Sequence, residues 1–111
     1  MNNKVKNLKS LIKRNSQYIG TYFDTGWMWG RRSLSIVADS DLKDILENDE
    51  IAIAILYDTL TKFDCVYEEK LNLKEFVSLY KFLKKNFEVD IFYDGDDLVL
   101  SLGVKENMNN E

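Results

Sequence analysis

The residues whose types and spacing could do chemistry cluster first in 22–32. Gly26-Trp27-Met28-Trp29-Gly30-Arg31-Arg32 sets two indoles, a thioether and two guanidinium groups within a short stretch, with Tyr22 just upstream. Trp, Met and Arg are enriched at protein interfaces, where rings fill pockets and guanidinium groups pair with carboxylates. Rings beside arginines also stack nucleobases and hold phosphates. The glycines do not make a phosphate loop, because bulky indoles occupy the interval that would have to wrap the anion. On a strand, Trp27 and Trp29 share one face and Met28 takes the other. That pattern serves a core strand as well as an interface. Both faces would then need cover, from helices on each side or from a partner.

Carboxylates form the second set. Asp39, Asp41, Asp44 and Glu47 fall in one run, Glu68 and Glu69 are adjacent, and Asp94, Asp96 and Asp97 surround Gly95. Acid–base catalysis by a carboxylate pair needs the two groups held about 5–9 Å apart in distinct environments. Nothing in the spacing imposes that. Asp94-Gly95-Asp96-Asp97 lacks the spread of ligands and the closing glutamate of a calcium loop, and reads as a turn. Asp41 and Asp44 suit the start of a helix. The remaining chemistry of these groups is to engage basic side chains on a partner.

The chain contains no histidine, no proline and one cysteine, Cys65. Cys/His zinc sites, Ser-His-Asp triads, histidine general bases and an internal disulfide are thereby excluded. No base is evident for Cys65, which is expected to be a buried structural thiol. The expectation is a non-enzymatic protein with no cofactor and no metal.

With 111 residues, 45% of them hydrophobic and 31% charged, the chain suits one small domain with a core. Residues 1–106 are read as that domain and 107–111 as a polar, frayed tail. The basic first nine residues are not followed by an apolar stretch, so no secretory leader is expected. The longest apolar run, 51–57, is far short of the roughly 20 residues that span a bilayer. The expected compartment is the cytoplasm, or a host cytoplasm for a gene on a mobile element.

The net charge of -4 is unevenly distributed. Residues 1–32 carry seven cations against Asp24. Residues 33–69 carry ten carboxylates against Lys43 and Lys62. Residues 70–88 are again basic, and 89–111 acidic. A basic stripe attracts phosphate, whereas an acidic surface attracts basic protein grooves.

The elements that must position these groups follow from periodicity. Val5, Leu8, Ile12 and Ile19 predict an amphipathic helix over 4–19, stopped by Gly20. Asp24-Thr25-Gly26 reads as a turn between short aromatic strands, and 33–37 as a strand. Leu42, Ile45, Leu46, Ile53, Leu56, Leu60 and Phe63 favour helix from about 41 to 63, with a break near 48–49. The rival is a short helix followed by a strand in which Ile51, Ile53 and Ile55 alternate with Ala52, Ala54 and Leu56. Residues 65–67 are a connection or short strand. Asn72 and Glu75 have capping-box spacing ahead of a helix to about 86. Residues 89–102 form a hairpin about Asp94-Gly95.

The expected fold is α+β: about three helices packed on a small antiparallel sheet that includes the C-terminal hairpin. The expected function is binding to, and modulating or inhibiting, a macromolecular partner, in the first place a protein. Tyr22, Trp27 and Trp29 would be buried anchors, and the carboxylates of 39–50 and 94–97 would meet basic groups. Immunity proteins and anti-defence or regulatory proteins of phages and plasmids share this size and charge, an analogy of class only. One alternative is a nucleic-acid-associated regulator using Lys6, Lys9, Lys13, Arg14, Arg31 and Arg32. A carboxylate-dependent enzyme is the remote alternative. No membrane partner is expected, and the tryptophan strand could also pair with its own copy.

Overall fold

The apolar stripe that begins at Val5 turns inward as a helix in the computed structural model, which describes residues 3–24, 29–47, 50–58 and 63–105. Helix α1 (Asn3–Asn15) buries Val5, Leu8 and Ile12, and a 3-10 turn (Ser16–Tyr18) continues it. Gly20, at φ 83°, then reverses the chain in a conformation that L side chains disfavour. Strands β1 (Tyr22–Asp24) and β2 (Trp29–Arg31) pair antiparallel as a separate small sheet. The order continues with β3 (Ser33–Ala38), α2 (Leu42–Glu47), β4 (Ile51–Asp58), β5 (Phe63–Leu71), α3 (Leu73–Asn86), β6 (Phe87–Asp94) and β7 (Asp97–Val104).

The main sheet is antiparallel, in the order β5-β4-β3-β7-β6. The expected α+β architecture, three helices on an antiparallel sheet with a C-terminal hairpin, is the one observed. The sheet is larger than strands near 21–37 and 89–102 alone would make.

The difference lies at 50–71. Helix stops at Glu47, and Ile51–Asp58 is a strand between β3 and β5, so the leaning toward helix from 41 to 63 is overturned. The physical reason is the isoleucine alternation. Ile51, Ile53 and Ile55 all point to one face and are buried, opposite Leu71, Glu69 and Tyr67 of β5. A helix would scatter them around its axis, whereas β-branched side chains suit the pleat. The expected break at 48–49 falls outside the described residues.

One face of the sheet holds the core. Leu34, Ile36 and Ala38 of β3 lie beside Ile53 and Ile55 of β4 and Leu98, Leu100 and Leu102 of β7. Helices α1, α2 and α3 bury Leu8, Ile12, Ile45, Phe76, Leu79 and Leu83 in the same cluster. Helix α3 begins with the predicted reciprocal cap. Asn72 Oδ1 accepts from the Glu75 N–H at 2.8 Å, and Glu75 Oε1 accepts from the Asn72 N–H at 2.7 Å. At its other end, Lys105 Nζ donates to the carbonyls of Lys84 and Lys85, a cation set at the negative helix terminus.

The opposite face carries Ser35, Val37, Ala52, Ala54, Val99 and Ser101. Among the described residues, no helix covers it. Cys65 lies on this face of β5, opposite Leu56, and is exposed, which corrects the expectation of a buried thiol. An edge strand facing away from the helices has no layer to bury it. Among the described residues, no helix is long and apolar enough to cross a membrane.

Candidate functional site

The β6–β7 hairpin turns at Gly95 and Asp96, with Asp94 paired to Asp97. Gly95 has φ 64° and Asp96 does not share the positive φ, the pattern of a type II′ turn. The ladder runs unbroken from Asp94–Asp97 to Phe87–Val104. Side chains of β6 therefore alternate strictly. Phe87, Val89, Ile91 and Tyr93 lie on the helix side, opposite Val104 and the buried Leu102, Leu100 and Leu98. Glu88, Asp90, Phe92 and Asp94 lie on the other side.

β6 is an edge strand and its middle is apolar on both sides. Ile91 and Phe92 are each 49% exposed and Tyr93 is 53% exposed. Beneath the edge, on the helix side, runs an apolar groove of about 380 Å³. Leu42 and Leu46 of α2, Val77 and Tyr80 of α3, and Ile91 and Tyr93 of β6 line its mouth. Leu46 is 60% exposed, unusual for a leucine beside a core. The Tyr93 hydroxyl accepts a long, 3.4 Å contact from the Leu42 N–H, tying α2 to the strand.

The predicted carboxylates divide into two groups. Asp39, Asp94 and Asp96 all lie close enough to Asp97 to act on its carboxyl. Burial pushes the Asp97 carboxyl above its ordinary range, and the neighbouring Asp39 carboxyl, then those of Asp94 and Asp96, push it further. Asp39 and Asp97 line a shallow cavity of about 530 Å³ on the helix-free face, with Glu68 and Lys70 across it. Asp41, Asp44 and Glu47 instead belong to α2. Asp41 Oδ1 accepts from the Asp44 N–H at 2.9 Å and caps the helix, and Asp44 occupies its first turn. Glu47 ends it, exposed. Among the described residues, no cluster of three or more acidic or cysteine side chains is placed to hold a metal ion.

The aromatic segment is positioned by its backbone. Tyr22 pairs with Arg31, and Asp24 with Trp29, across β1 and β2. Trp27 lies outside the described residues. The Arg32 guanidinium sits 5.6 Å from the Tyr18 ring centre, and Tyr18 packs edge-on against Tyr57 with centroids 6.3 Å apart. The Tyr57 hydroxyl donates to the Asn15 carbonyl at 3.1 Å. Burial raises its pKa, the Arg32 charge opposes that, and Tyr18 adds to it. Arg32 is thus engaged with the end of α1.

The charge pattern of the sequence acquires a spatial form. Lys9 and Lys13 of α1 and Lys74, Lys81 and Lys85 of α3 surround an open groove of about 1000 Å³. The Lys9 and Lys13 ammonium groups lie 5.6 and 5.7 Å from the Phe82 ring centre. The helix layer is basic outside, and the hairpin edge is acidic.

Sequence does not mark Leu42, Leu46, Val77, Tyr80, Ile91, Phe92 and Tyr93 as site residues. Ile91-Phe92-Tyr93 did hold a signal: three consecutive apolar residues break the alternation that a half-exposed hairpin strand needs. No protein-family model, curated protein or solved structure matches this chain.

Proposed function

We propose that this chain is a non-enzymatic binding protein that docks a basic protein partner on the β6 edge and thereby modulates it. The observation that carries this reading is the edge itself. An eight-residue edge strand exposes Ile91, Phe92 and Tyr93 beside an apolar groove, with Glu88, Asp90 and Asp94 in register along it. Exposed apolar surface rimmed by charge is the composition of a protein-contact patch. The carboxylates would speed encounter with a basic partner and orient it, and the apolar groups would slow its departure.

A photocrosslinking residue at Phe92, with another at Lys6 as control, tests this in extract from the source organism. The expected result is a stoichiometric protein adduct at Phe92, insensitive to nuclease, weakened by salt and lost on Leu46→Lys. Capture that survives Leu46→Lys but fails on Trp27→Ala or Trp29→Ala would move the contact to the β1–β2 segment and overturn this placement.

A second reading rests on the α1–α3 groove, whose five lysines and Phe82 suit a phosphate backbone beside a stacked base. It requires steeply salt-dependent oligonucleotide binding, lost on Lys9→Glu with Lys81→Glu. Equal affinity in wild type and this double variant would remove it.

A further inference from the structure

We infer that β6 takes up a partner by strand addition, the partner being an extended protein segment with Lys or Arg at alternate positions and apolar residues between them. This deepens the binding function proposed above and rests on it. The two edges of the sheet differ in a way that singles out β6. At the β5 edge the ladder is interrupted by an irregularity at Ile55/Leu56, Glu68, Glu69 and Lys70 follow in sequence, and Lys4 Nζ occupies the Lys70 carbonyl at 3.0 Å. A bulge, charges and a capped carbonyl are the usual means of blunting an edge. β6 has an unbroken ladder and an apolar centre.

Counting from the hydrogen-bonded closing pair Asp94–Asp97, the alternation of an antiparallel ladder turns the even-numbered N–H and C=O groups of β6 toward β7. Those of Val89, Ile91 and Tyr93 face outward. A further strand can pair with them. Its side chains on one face would stand beside Glu88, Asp90 and Asp94, which selects cations. Its side chains on the other face would drop over Ile91, Tyr93 and the groove edged by Leu46 and Val77, which selects apolar groups. A second copy of this chain is the wrong occupant, because the antiparallel pairings of β6 with itself centred on Asp90, Ile91 or Phe92 each set carboxylate opposite carboxylate.

The test uses the full chain and four synthetic peptides as long as β6. One alternates Lys with Val, Ile or Leu, one has the same composition in two blocks, and two are the alternating peptide N-methylated on alternate amides, one in each frame. The alternating peptide is expected to bind at least about tenfold tighter than the block isomer. It should slow hydrogen exchange at the Val89, Ile91 and Tyr93 amides, and N-methylation in one of the two frames should abolish binding. Ile91→Pro should also abolish it, since a proline whose N–H faced outward leaves the β6–β7 ladder intact. Unchanged exchange in β7 would establish that this variant is folded. Equal affinity for alternating and block peptides, with no protection in β6, would overturn strand addition while leaving a charged apolar docking surface standing. Failure of both peptides to bind would overturn the docking surface too. A single-stranded oligonucleotide that protects the β6 amides where the peptides do not would likewise refute the inference.

Discussion

Neutralising the β6 carboxylates should make the protein self-associate through that edge. Two copies of β6 related by an axis normal to the sheet keep even-numbered side chains on one face. Centred on Ile91, the pairing sets Glu88 opposite Asp94 twice. Centred on Phe92, it sets Asp90 opposite Asp94 twice, and centred on Asp90 it sets that residue against its own copy. A like-charge pair directly opposite across a ladder costs about 0.2–1 kcal/mol. Two pairs in the Ile91 register therefore hold back association by about 0.4–2 kcal/mol, or about 2- to 30-fold in the dimer dissociation constant. The variant Glu88→Gln, Asp90→Asn, Asp94→Asn removes that cost and leaves Ile91, Phe92 and Tyr93 to bury one another. Sedimentation equilibrium should give a tighter dimer for the variant than for the wild type, with the gap narrowing as salt screens the wild-type charges. Hydrogen exchange should locate the new protection at Val89, Ile91 and Tyr93. An association constant indifferent to both neutralisation and salt would refute the reasoning, as would new protection confined to β5.

Three further outcomes concern stability. Asn72→Ala removes one half of the reciprocal cap on α3 and should cost about 1 kcal/mol in denaturant unfolding. Leu83→Ala opens a cavity under α3, where the side chain is fully buried, and should cost about 2–5 kcal/mol. Asp97, whose carboxyl is pushed upward by burial and by Asp39, titrates higher folded than unfolded. Its contribution is thus full below the unfolded pKa and is lost as pH rises through the folded one. Asp97→Asn should therefore raise the melting temperature at neutral pH and flatten its change across the acid range. A lower melting temperature at neutral pH would contradict this.

Much of the fold was legible because it is locally encoded. The cap Asn72–Glu75 and the stripe from Leu73 to Leu83 specify α3 within one segment, and Asp94-Gly95 specifies the hairpin by the conformation that glycine permits. The stripe of α1 and the chain reversal at Gly20 are local in the same sense. Residues 51–58 were not legible. Their spacing satisfies a helix and a strand alike, and the choice is made by distant neighbours. Only when β3 and β5 flank β4 can Ile51, Ile53 and Ile55 all enter the core. Cys65 was misread for a related reason, since its exposure depends on which face of the sheet the helices cover.

The sequence by itself determined the α+β class, the absence of histidine chemistry, the turns and caps, and the alternation of basic and acidic segments. Tertiary structure decided which of those charges meet. It brought Asp39 to Asp97 across the sheet, left Asp41 and Asp44 to start a helix, and gathered the lysines of α1 and α3 around Phe82. It also made the groove, from Leu46, Val77 and Ile91, residues on three elements far apart in the chain. A docking surface of this kind has no sequence motif, because its parts become neighbours only when the order β5-β4-β3-β7-β6 puts β6 at an edge and the helices on one side of it.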